Sequence, residues 1–171
     1  MKKLMKSLTA LVLAFVAVLS VLSLTACGEE KPYSVVGLTL NGTKNCVVVW
    51  GEDVTNQDKE RFYDEIQLST KSDGAVKDYF ETNYGELMVT VVMTFNEDGT
   101  LTYSSADKSR PITYYYVQSQ DLNSVALYRN EEHTIDVDGM KVDFINGKYC
   151  LCITSLESIN LQGIYFELVK A

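Results

Sequence analysis

Hydrophobic positions follow a period of two along most of the second half of the chain. Leu87, Val89, Val91, Met93 and Phe95 share one face of an extended segment, and Asn96-Glu97-Asp98-Gly99 turns it into a strand over residues 100–104. Further strands are predicted at 112–118, 124–128, 134–137, 140–144 and 148–154, parted by turns such as Asp138-Gly139 and Asn146-Gly147. The closing segment alternates as Ile159 and Leu161, then slips to Ile164, Phe166 and Leu168, so a bulge at Gln162-Gly163 restores the inward face. Near the start, residues 35–40 read as a strand, Asn41-Gly42 as a hairpin turn and residues 45–50 as the return strand. Between these blocks the period changes. Thr55 can cap a helix that starts near Asn56 and carries Phe62, Tyr63 and Ile66 on one side. A second helix follows Asp73-Gly74, with Val76, Tyr79, Phe80 and Tyr84 in one stripe and Gly85 placed as its C-cap.

One segment fits neither period. Residues 8–24 are apolar apart from hydroxyls, follow the basic stretch Met1-Lys2-Lys3-Leu4-Met5-Lys6, and end at Leu24-Thr25-Ala26-Cys27. Basic, apolar and small-residue regions in that order form an export signal. An uncleaved anchor is the competing reading, but the run is at the short end of the roughly 17–25 residues a spanning helix needs. Acids, not basic residues, follow it. The leader resembles those of bacterial lipoproteins, whose lipobox is an aliphatic residue, a small residue, Ala or Gly, and then Cys. That resemblance implies cleavage after residue 26, lipidation of Cys27 and a lipid-anchored protein on the outer face of the cell membrane. Residues 27–34 are then a lipidated polar tether, and residues 35–171 one domain. Acyl chains such as palmitate attach durably as a pair, since each buried methylene contributes about 0.8 kcal/mol.

Charge narrows the partners. All 23 acids lie beyond residue 26 with only 12 of the 15 Lys and Arg, because Lys2, Lys3 and Lys6 belong to the leader; the net charge there is near −11. Such a surface repels nucleic acid and anionic headgroups, leaving the lipid to hold the membrane. Lipidation would consume one of the four cysteines. Cys46, Cys150 and Cys152 then remain as disulfide candidates in an oxidising compartment. Cys150 and Cys152 share a strand face, where direct bridging is strained. Cys46 with either of them is the better pair, and three small half-buried hydrophobes is the equal alternative.

The strand order, with two short helices between the early strands, indicates a mainly β fold, an antiparallel meander closing into a small barrel or a strongly curled sheet. Phe95-Asn96-Glu97-Asp98-Gly99-Thr100 and Tyr165-Phe166-Glu167-Leu168-Val169 resemble the hairpin and last strand of lipocalin-like domains found in bacterial lipoproteins. The Gly-x-Trp of lipocalins is replaced here by Gly37-Leu38-Thr39, and the only Trp is Trp50. The resemblance implies a lipocalin-like barrel with a ligand inside it.

Chemistry is sparse. The single histidine, His133, stands beside Glu131 and Glu132 with no Gly-x-Ser-x-Gly elbow to serve, which is the pattern of a surface histidine. Cys150-x-Cys152 lacks zinc spacing, and Asp136-x-Asp138-Gly139 lacks the final acid of a calcium loop, so neither a metal nor another cofactor is expected. The eleven tyrosines are the richer set, and Tyr114-Tyr115-Tyr116 places rings on both faces of one strand. Two functions fit. One is a non-enzymatic binding domain for a small apolar or amphipathic ligand, with Val91, Tyr114, Tyr116, Leu127, Val142 and Phe166 lining a continuous internal cavity. The other is a module that docks another envelope protein through exposed rings such as Tyr63, Tyr79 and Tyr115.

Overall fold

The computed structural model describes residues 30–156 and 161–171. The leader, Cys27 and Ile159 lie outside the described residues. Pro32–Ala171 is one compact unit that holds the described strands and helices. Its strands are β1 (Thr39–Trp50), β2 (Val92–Phe95), β3 (Thr100–Ser104), β4 (Ile112–Gln118), β5 (Ser124–Tyr128), β6 (Lys141–Ile145), β7 (Lys148–Leu156) and β8 (Leu161–Lys170); the helices α1 (Asn56–Glu65) and α2 (Asp73–Met88) stand between β1 and β2. Each strand pairs antiparallel with the next and β1 pairs with β8, so the sheet closes as an eight-stranded barrel. Closure gives each described strand a hydrogen-bonded neighbour on both sides. The architecture is that of a lipocalin-like barrel.

Local chemistry explains most of the element ends. Thr55 accepts from the Asp58 N–H at 3.2 Å while the Asp58 carboxylate accepts from the Thr55 N–H at 3.0 Å, a capping box that starts α1. Ser72 caps α2 through the Ala75 N–H. Asn146 and Gly147 both have positive φ, 51° and 83°, as a tight turn between β6 and β7 requires. Val49 pairs with Gly163 and Trp50 with Leu161, which places the expected bulge at Gln162.

Four expectations need correction. β1 runs unbroken from Thr39 to Trp50, so Asn41-Gly42 is not a turn. A Cβ on Gly42 would stand 2.1 Å from the Met88 carbonyl oxygen, so the glycine serves a close approach between β1 and the end of α2. The second helix continues past Gly85, which packs on Lys44, and ends at Met88; residues 87 and 88 are therefore helical and β2 begins only at Val92. Residues 134–137 form no strand, only a single bridge between Tyr128 and Asp136. The polar tether ends sooner than residue 34, because Tyr33 packs edge-on against Tyr149 at 5.0 Å and lies 3.7 Å beneath the Lys170 ammonium.

Side chains fill the lower barrel. Leu40, Met93, Phe95, Leu101, Val125, Val142, Tyr149 and Phe166 are at most 1 % exposed. Phe95 meets Tyr116 edge-on at 5.0 Å, and Phe144 meets Tyr149 at 5.1 Å. Beneath them the Tyr149 hydroxyl receives Gln118 Nε2 at 2.7 Å and shares its one proton between the Leu122 carbonyl, 2.7 Å away, and that of Tyr33. This network ties the incoming chain, the β4–β5 turn and β7 together, and it closes the base of the barrel.

The three described cysteines are buried and form no disulfide with one another. Cys46 belongs to the main core, whereas Cys150 and Cys152 pack with Tyr165, Val47 and Val49 in a separate cluster. Different packing layers, not a bridge, account for them. Burial pushes the Cys46 and Cys150 thiols up to about 12, so both are held as neutral, unreactive groups.

Acid sensitivity follows from the carboxylates. Burial alone would raise the Glu167 pKa, but Lys148 at 2.7 Å and Asn45 at 2.9 Å outweigh it and hold the group below the usual range. Asp73 is likewise held low against its burial, by the Tyr63 hydroxyl at 2.7 Å and by Lys59. Asp98 is lowered by its bonds from Thr100, and Asp121 by Ser119 and Asn123. Carboxylates with depressed folded pKa values stabilise the fold fully above their unfolded values, near 4, and lose that contribution as pH falls toward the folded values. The urea midpoint should therefore stay level from pH 7 to about 5 and decline below about 4.5, with a shallower decline in Glu167→Gln. A midpoint that holds steady down to pH 3 would contradict this.

Candidate functional site

The upper end of the barrel is less full than the base. A pocket of about 270 Å³ lies there, lined by residues from five parts of the chain. The last turn of α2 supplies Tyr84, Leu87 and Met88, which share a helix face at i, i+3 and i+4. This turn is seated on β1 by a short relay, in which the Val91 N–H donates to the Met88 carbonyl at 3.0 Å and the Gly42 N–H to the Val91 carbonyl at 2.9 Å. Val91 lines the pocket just beyond the helix, and Tyr103 on β3 faces it from the sheet.

Two loops complete the rim. The β3–β4 loop carries Asp107 and is fastened to the end of α2 by the Ala106 N–H, which donates to Thr90 Oγ1 at 2.8 Å. The β5–β6 loop carries Asp138, Gly139 and Met140; Gly139 has φ 67°, and the Met140 N–H donates to the Val137 carbonyl. Leu151, Cys152 and Ile153 of β7 form the opposite wall. The floor and walls are apolar, and among the described residues the charged ones in the lining are Asp107 and Asp138. Such a place suits an apolar group that enters from the mouth.

The residues expected to line an internal cavity are mostly elsewhere. Val91 alone borders the pocket. Tyr116, Leu127, Val142 and Phe166 are buried in the main core, and Tyr114 packs against that core, its ring 6.3 Å from Tyr103. Phe95, Tyr116, Phe144 and Tyr149 occupy the space that a cavity through the barrel would need. Sequence reasoning missed Tyr84, Leu87, Met88, Tyr103, Met140 and Leu151. The spacing of Tyr84, Leu87 and Met88 was a usable signal, hidden because Gly85 reads as a helix end.

No family model, curated protein or solved structure matches the chain. Its chemistry must be read from its own side chains.

His133 lies on the surface in a turn with φ 54°, not at a strand start. Its ring sits 4.9 Å from that of Tyr128 and 6.5 Å from that of Tyr115. With Asp98, Gly99, Thr100, Tyr115 and Glu131 it borders a polar hollow with no serine among its described lining residues, and Asp98 is already engaged by the Thr100 N–H and hydroxyl. Among the described residues no three His, Cys, Asp or Glu side chains converge as metal ligands. The rings considered for a docking face divide: Tyr63 is buried, donating its hydroxyl to Asp73, while Tyr79 and Tyr115 are half-buried.

Proposed function

We propose that this chain is an envelope lipoprotein, anchored through Cys27, whose barrel holds a small apolar or amphipathic molecule in its mouth. The leader and its Leu24-Thr25-Ala26-Cys27 motif support the anchor. The observation that carries the binding role is the apolar pocket beneath the last turn of α2. Its volume of about 270 Å³ lies just under the roughly 300–1,000 Å³ of pockets for drug-sized ligands. A small molecule, or one apolar end of a longer one, is the matching occupant.

The anchor is tested by intact mass: the cell-derived protein should begin at Cys27 and carry a diacylglyceryl group, and Cys27→Ser should carry none. An uncleaved chain would refute that half. For the pocket, a naphthalene-based fluorescent probe should bind the Gly28–Ala171 chain, which contains the whole compact unit. Met140→Trp, which puts a larger side chain at the mouth, should weaken that binding by tenfold or so while the thermal midpoint holds. Equal binding by both proteins would place the probe elsewhere.

A further inference from the structure

We infer that the mouth pocket selects organic cations, small molecules with an apolar body and an ammonium or similar positive group, over neutral and anionic analogues of the same shape. This rests on the reading of that pocket as a binding site. Three observations carry the inference. The walls formed by Leu87, Met88, Val91, Met140, Leu151 and Ile153 take the apolar body, and the charged residues of the described lining, Asp107 and Asp138, are both acids. Two tyrosines, Tyr84 and Tyr103, stand among the lining residues, and aromatic faces attract ammonium groups. Finally, the chain outside the leader carries a large net negative charge, so the field over the mouth draws cations and repels anions.

Both acids have cationic neighbours that a ligand must compete with. Asp107 meets Lys108 at 2.7 Å and Asp138 meets Arg129 at 3.3 Å. These pairs are open to solvent, where an ion pair is held weakly and is readily exchanged. Neither Lys108 nor Arg129 lines the pocket itself. The bond from Lys108, with one from Ser105, keeps the Asp107 carboxyl below its usual range, so it is ionised at neutral pH.

Phenethylammonium, 2-phenylethanol and phenylacetate share one ring and linker and differ in charge. Displacement of the naphthalene probe from Gly28–Ala171 at low salt should rank them cation, neutral, anion, with about fivefold between the first two. The advantage should shrink as salt rises. In an Asp107→Asn/Asp138→Asn chain the remaining net negative charge and the two tyrosines persist, so the gap between cation and anion should narrow severalfold without changing sign. Equal affinities for the cation and the alcohol, or a cation–anion gap unchanged in size by the double substitution, would overturn the inference while leaving the pocket as a binding site. Displacement by none of the three overturns it as well. Failure of the probe itself to bind would remove the pocket reading and this inference together.

Discussion

Gly42→Val should cost about 3 kcal/mol or more of folding stability, the largest loss expected from a single substitution outside the barrel core. At this position a Cβ would be 2.1 Å from the Met88 carbonyl oxygen and 3.2 Å from the Val91 Cβ. The nearest obstacle is backbone, not the far end of a flexible chain, so no rotamer change relieves it. Relief requires α2 to lift from β1, which breaks the bond from the Gly42 N–H to Val91 and loosens the seating of Met88. Alanine already supplies the clashing atom and should cost nearly as much. Gly99→Ala provides the contrast, since nothing lies within 4 Å of its Cβ and only its positive φ of 83° opposes the change; a loss of about 1 kcal/mol is expected there. Urea denaturation of the three variants checks the order. A Gly42→Ala protein as stable as Gly99→Ala would show that the helix does not press on the strand.

Tyr149→Ala should be comparably damaging, at about 4 kcal/mol. The ring is fully buried and contacts Tyr33 and Phe144 edge-on, so truncation opens a cavity at the base. Its hydroxyl also leaves Gln118 and two carbonyls with one partner fewer. Tyr149→Phe separates the two contributions. It keeps the ring and removes only the hydroxyl, with an expected loss of about 1–3 kcal/mol. Backbone amide exchange gives a local readout as well, because the chain around Tyr33 should lose protection before the upper strands do. If Phe and Ala at this position were equally destabilising, the hydroxyl network alone would account for Tyr149. A Phe variant as stable as the parent would make the network dispensable.

Much of the fold was legible because it is written in local chemistry. Thr55 and Asp58 name a helix start, Asn146-Gly147 a tight hairpin, and the slip from Leu161 to Ile164 a bulge. Each depends on residues only a few positions apart. The same local signals misled where a distant element decided the outcome. Asn41-Gly42 has the composition of a turn, yet Gly42 is small because α2 crosses it 46 residues later in the chain, at Met88. Leu87 and Val89 alternate like a strand, yet residues through Met88 complete a helix whose last turn lies against β1.

The pocket was less legible than the barrel for the same reason. Inward-facing strand residues are readable from a period of two, and Tyr116, Leu127, Val142 and Phe166 do face inward. Whether they surround a void or touch one another depends on total volume, and here Phe95, Phe144 and Tyr149 fill the lower barrel. The space that remains is made by the meeting of a helix end, two loops and one strand wall. No single stretch of sequence contains it.

Methyl resonances give the most direct test of the mouth pocket. With methyl-labelled Gly28–Ala171 and added 2-phenylethanol, the methyls of Leu87, Met88, Val91, Met140, Leu151 and Ile153 should shift in a saturable way. Those of Val125, Leu127 and Val142, packed within the filled part of the barrel, should stay in place. Shifts confined to those core methyls, or to residues away from the last turn of α2, would contradict a binding site at the barrel mouth.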